Sequence, residues 1–94
     1  MDLTTRVRAP AEVMATEIDG EAVLMHVSSG VYYGLNEVGA LIWRRMAGDV
    51  SVADLCEAVL EEYEVPRDVC RRDVVTLLEQ MAEAGLVDVA PTKD

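Results

Sequence analysis

The residues of this chain that could do covalent or proton-transfer chemistry are few and scattered. They amount to one histidine, His26, and two cysteines, Cys56 and Cys70, among carboxylates and a handful of arginines. General acid–base catalysis needs a base held against its target, and nucleophilic catalysis needs a thiolate or hydroxyl beside such a base. His26 stands in an apolar run with no second imidazole or paired thiol near it in sequence, and no Ser-His-Asp order occurs. The cysteines lack the C-x-x-C spacing of metal or redox sites and read as small buried apolar residues of a reducing compartment. The expectation is therefore a chain with no catalytic residue, no metal ligand set and no cofactor, and so not an enzyme.

Charge points to binding rather than catalysis, and narrows the partners. Eighteen acidic residues against eight basic ones give a net charge of -10, which disfavours a phosphate backbone. Arg67, Arg71 and Arg72 sit among Asp68 and Asp73, so they form a mixed helix start as readily as a binding patch. Glu57, Glu61, Glu62 and Glu64 make a solvated acidic face that could also meet a basic surface on a partner. With 94 residues, half of them apolar, the chain is expected to close one modest core, a single domain with its core at about 7–89. Its apolar runs fall short of the roughly 18–20 residues of a membrane span, and MDLTTRVRAP lacks a secretory apolar region. A soluble, cytoplasmic protein that touches neither membrane nor nucleic acid is expected.

These residues must be positioned by a small α+β fold. EVMATEI (12–18) and EAVLMHV (21–27) flank Asp19-Gly20, a strong hairpin signal. A two-residue turn sets Thr16 opposite Val23 and Met14 opposite Met25, and the face carrying Met14, Ile18, Val23 and Met25 is expected to meet the core. Ser28-Ser29-Gly30 turns the chain into a third strand at Val31–Leu35, with Tyr32 and Tyr33 on opposite faces. Asn36 can cap the following helix, about 37–47, ended by Gly48. Ser51 and Asp54 resemble a capping box for a second helix at 52–63. Pro66 suits the first position of a third, at 66–84, stopped by Gly85. Leu86–Val89 reads as a short closing strand before a polar tail. The second and third helices form a helix-turn-helix, and the three-stranded antiparallel sheet before them makes it winged.

Over positions 7–87 the chain resembles the PqqD-like family, the RiPP recognition elements. The resemblance is carried by DGEAVLM, SGVYYGLNEVGALIW, the G-x-x-S-V-A-D-L-C start of the second helix, EEYEVP and DVVTLLEQMAEAGLV, in that order. It implies a winged helix-turn-helix that binds the leader segment of a ribosomally made precursor peptide and presents it to a separate modifying enzyme or leader peptidase. The GLNEVGALIW form is most similar to stand-alone members of lasso-peptide clusters. The PEG-containing hairpin typical of pyrroloquinoline-quinone members is absent here. A PqqD-like chaperone for a radical-SAM peptide-modifying enzyme is the alternative within the family.

The resemblance also implies where the leader lies: it adds as a further strand along the third one, so Val31, Tyr32, Tyr33, Gly34 and Leu35 are the expected backbone platform. An edge strand of this kind leaves N–H and C=O groups unpaired, which also opens a route to a homodimer. The third helix carries two apolar lines, Cys70, Val74, Leu77 and Met81 on one and Arg71, Val75, Leu78 and Ala82 on the other. The first is assigned to the core. The second, with Arg72, is assigned to the peptide groove, where an arginine can meet a leader carboxylate. A DNA-binding winged helix is the competitor from another class, with the third helix in the major groove. The acidic charge and the apolar lines of that helix argue against it.

Overall fold

The computed structural model describes residues 1–90, and the expected polar tail lies outside them. Along the described residues run β1 (Arg6–Arg8), β2 (Val13–Ile18), β3 (Glu21–His26), β4 (Tyr32–Leu35), α1 (Glu37–Arg44), β5 (Val50–Ser51), α2 (Val52–Glu62), α3 (Arg67–Glu83) and β6 (Asp88–Val89). Asp19 and Gly20 both take positive φ, 54° and 84°, the conformation a two-residue hairpin turn demands. The turn sets the register read from the sequence, with Thr16 opposite Val23 and Met14 opposite Met25. β4 then pairs antiparallel with β3, Leu24 opposite Tyr33 and Ala22 opposite Leu35, so the sheet order is β2-β3-β4.

The hairpin's buried face is the reverse of the one expected. Ala22 and Leu24 are buried at 2% and 0% exposure, whereas Met14 and Ile18 are each 60% exposed and Val23 is 40% exposed. Both faces of this ribbon carry apolar residues, so alternation alone does not say which turns inward. The decision is made downstream: Leu35 shares a face with Ala22 and Leu24, and α1, which starts two residues later, packs back on β3 and β4. The face carrying Leu24 and Leu35 becomes the core, and that carrying Met14, Val23 and Tyr32 becomes surface.

The helix starts follow local chemistry. Asn36 Oδ1 accepts from the Gly39 amide at 2.9 Å. At α2, Ser51 and Asp54 form a reciprocal capping box. Pro66 stands one residue earlier than expected, as the N-cap of α3, with no side-chain bond to offer. α1 stops at Arg44, short of Gly48, yet Met46 beyond it is fully buried. Gly85 ends the last helix with φ of 75°.

A second small sheet, β5-β1-β6, ties the chain's two ends together. Val7 of β1 is 1% exposed and pairs with Val50 on one side and Val89 on the other. The closing strand therefore exists at Asp88–Val89, but it joins this sheet and not the hairpin's. Leu24, Leu35, Ile42, Met46, Val52, Leu55, Val74, Leu78, Met81 and Leu86 belong to one buried cluster. The whole is α+β, with a three-stranded antiparallel hairpin sheet preceding a helix-turn-helix made by α2 and α3.

The inverted hairpin face makes a direct comparison. Leu24→Ala is expected to cost about 2–5 kcal/mol in urea unfolding, and Met14→Ala no more than about 0.5 kcal/mol. The opposite ranking would contradict the assignment of faces.

Candidate peptide-binding site

The backbone of β4 is the starting point. His26 donates its amide to the Val31 carbonyl at 2.9 Å. Antiparallel pairing alternates, so Val31, Tyr33 and Leu35 turn their backbone groups toward β3. Tyr32 and Gly34, between them, present N–H and C=O to the open side, where no further strand of the described residues pairs. Side chains alternate as well. Tyr33 is half-buried and its hydroxyl donates to Gln80 Oε1 of α3 at 3.3 Å, while Tyr32 is 68% exposed on the outer face. An ideal Cβ on Gly34 would meet nothing within 4 Å. The glycine is not demanded by the free fold, and its bare backbone leaves room for an approaching chain.

From Asn36, the residue that follows this strand, opens an apolar groove of about 310 Å³ between the start of α1, the end of α2 and α3. Val38 and Ile42 line one side, and Val65, Val69 and Leu77 the other, with Asn36 and Asp73 at the polar margin. Asn36 both ends β4 and opens α1, so the cap that starts the helix also brings Val38 against α3. Val65 is 39% exposed.

The structure brings together the five β4-side positions, Val31, Tyr32, Tyr33, Gly34 and Leu35, although Leu35 itself is buried at 5% exposure. It divides the α3 positions. Leu78 is fully buried, and the core line of the helix is Cys70, Val74, Leu78 and Met81. Leu78 is thus a core residue and not a groove residue, and Leu77, expected in the core, lines the groove. Adjacent residues on a helix lie about 100° apart, so a modest error in rotation exchanges them. Ala82 is half-buried and packs against the core. Arg71, Arg72 and Val75 lie on the other flank of α3, at a separate cavity. Sequence reading missed Val65, Val69, Asp73 and Gln80. Val65, Val69, Asp73 and Leu77 recur every four residues, a pattern broken by one carboxylate and by the turn before Pro66.

The potential chemistry of the remaining residues is structural. His26 is half-buried at the hairpin end, with Ser28 Oγ 3.2 Å from Nδ1 and the Ser29 amide donating to the same nitrogen at 3.4 Å. It steadies a turn. No group of three or more His, Cys, Asp or Glu among the described residues is placed to hold a metal ion.

A three-stranded antiparallel sheet with an open edge against the third of three helices, and an apolar groove alongside, defines a small winged helix-turn-helix domain of the α+β class. The chain belongs to the PqqD family: the profile described as coenzyme PQQ synthesis protein D matches residues 21–87. Two solved structures are similar to it. "TbiB1 in Complex with the TbiA(beta) Leader Peptide" has a TM-score of 0.79 at 30% identity, over 93% of this chain and 99% of that one. "Lasso peptide synthetase B1 complexed with the leader peptide" has a TM-score of 0.75 at 33% identity, over 90% of this chain and 98% of that one. No curated protein matches the chain.

Two thiols lie behind these surfaces. Cys56 and Cys70 are buried and free, and Cys70 Sγ donates weakly to the Cys56 carbonyl at 3.7 Å. Burial pushes Cys56 up to about 11 from an ordinary thiol value of 9.0, with Cys70 adding to the rise. Burial raises Cys70 also. The fold favours the neutral thiol, so this part of its stability is whole below pH 9.0 and fades as pH climbs through about 11. The expected outcome is slow reaction of both thiols with a disulfide reagent below pH 9.0 and fast reaction once denaturant is added. Fast reaction in the native protein would show that they are not sealed.

Proposed function

We propose that this chain binds the leader segment of a ribosomally synthesised precursor peptide as an added strand along β4, and delivers it to a separate modifying enzyme or leader peptidase in lasso-type biosynthesis. The observation that carries the reading is the pairing of a backbone edge left open among the described residues, at Tyr32 and Gly34, with an apolar groove that starts at Asn36, the residue after that strand. Backbone groups supply sequence-tolerant affinity, and the groove supplies selection through the side chains it admits. Each apolar side chain fully buried there contributes about 1.5–3 kcal/mol, so Val38, Val69 and Leu77 outweigh any rim charge at ~1 kcal/mol or less. The two similar structures, both described as leader-peptide complexes, support the same assignment.

The chain's own part is binding and presentation; bond making belongs to the partner. Its cytoplasmic placement follows from that role, since precursor and enzyme meet before export. No helix among the described residues is long and apolar enough to cross a membrane. The open edge of β4 also offers a route to a homodimer, which a net charge of -10 on each copy opposes at low salt.

Two substitutions test the groove with a synthetic leader peptide. Tyr32→Pro deletes an outward N–H while sparing the bonds to β3, and Leu77→Glu sets a charge in the apolar wall. Each is expected to raise Kd roughly tenfold or more with the far-ultraviolet circular dichroism unchanged. Leu78→Glu, by contrast, is expected to unfold the protein. Wild-type affinity in both groove variants would refute the site.

A further inference from the structure

The larger cavity of the molecule is not the groove beside β4. It measures about 730 Å³ and lies on the opposite flank of α3, between that helix, the start of α2 and the N-terminal segment. Its floor is apolar, formed by Met1, Leu3, Ala53, Cys56 and Val75. Its mouth carries Arg67, Arg71 and Arg72 together with Glu57 and Asp68. Three of the chain's eight basic residues thus meet at one opening on a protein with eighteen acidic ones. Arg67 is committed to Glu57. Arg72 lies 3.6 Å from its exposed neighbour Asp73, an interaction worth little in water. Arg71 takes part in no salt bridge among the described residues. The cavity therefore combines an apolar floor with one free and one weakly held guanidinium.

Resting on the function proposed above, we infer that this cavity is a second subsite for the same precursor. It takes a stretch flanking the strand bound at β4, with an apolar side chain for the floor and carboxylates for Arg71 and Arg72. Continuity supports the assignment. Val69 and Asp73 line the β4-side groove, while Asp68 and Arg72, their immediate neighbours, line the arginine cavity. The two surfaces thus share the first turns of α3. A helix with its side chains is about 10–12 Å across, so roughly four extended residues carry a chain over it. Charge supports it too. An acidic flank is repelled by most of this protein's surface, so the arginines of this mouth, which outnumber its carboxylates Glu57 and Asp68 by three to two, fix where that flank settles and discriminate against precursors that lack it.

The test uses the intact protein and two synthetic peptides from a short precursor sought among the neighbouring genes: the full leader, and the leader cut down to its strand-forming stretch. The double variant Arg71→Gln/Arg72→Gln neutralises two exposed residues. It is expected to weaken the full leader roughly tenfold, as two rim contacts of about 0.7 kcal/mol each imply, and to leave the short peptide unchanged. Replacing the leader's flanking carboxylates by amides should weaken wild-type binding by the same factor and add nothing in the variant. A full leader that binds wild type no tighter than the short one, or that ignores the arginines, overturns the second subsite while leaving the β4 site standing. Failure of both peptides to bind wild type overturns the β4 reading, and this inference with it.

Discussion

The pairing of β3 with β4 is the constraint on which the rest depends. One bond, from the His26 amide to the Val31 carbonyl, sets the alternation that turns Tyr32 and Gly34 outward. An open edge is ordinarily a hazard, since any extended segment can pair with it. Here the hazard is confined to a four-residue strand, Tyr32–Leu35, anchored at one end by buried Leu35 and tied to α3 through Tyr33. The long-range repulsion of an acidic surface adds a second restraint on self-pairing.

Asn36 couples that edge to its wall. The residue leaves the strand with extended backbone and immediately caps α1, so the groove begins where the strand stops. Val38, two residues on, lines the groove with Val69 and Leu77. Across the molecule, Tyr33 reaches Gln80, which ties β4 to α3. The small sheet of β1, β5 and β6 does not enter the site. It adds Val7 to the core and brings the N-terminal segment to the floor of the arginine cavity.

Much of this was legible in the residues, and the failures have physical causes. Asp19-Gly20 has one common use between β-capable runs, and it set the hairpin register correctly. Asn36, and Ser51 with Asp54, are caps whose chemistry is local, so the helix starts were placed well. What the sequence left undecided was rotation. The hairpin is apolar on both faces, and α3 spreads its apolar residues over more than one stripe. The choices between Leu24 and Met14, and between Leu78 and Leu77, were made by the packing of α1 and α2, which no local pattern records. β1 and β5 escaped notice because strands of three and two residues are too short to show a period. The arginines were read as groove residues because helix numbering places them one flank away from where tertiary packing does.

The account rests on two backbone amides, and those can be watched directly. Amide hydrogen exchange at Tyr32 and Gly34, followed by NMR with and without the leader peptide, is the sharpest measurement. Both amides are expected to exchange freely in the free protein and to slow by roughly a hundredfold or more under saturating peptide, as buried strand amides do, with β2 unaffected. Peptide binding that leaves Tyr32 and Gly34 exchanging as before, or that protects the outer edge of β2 instead, would contradict the account.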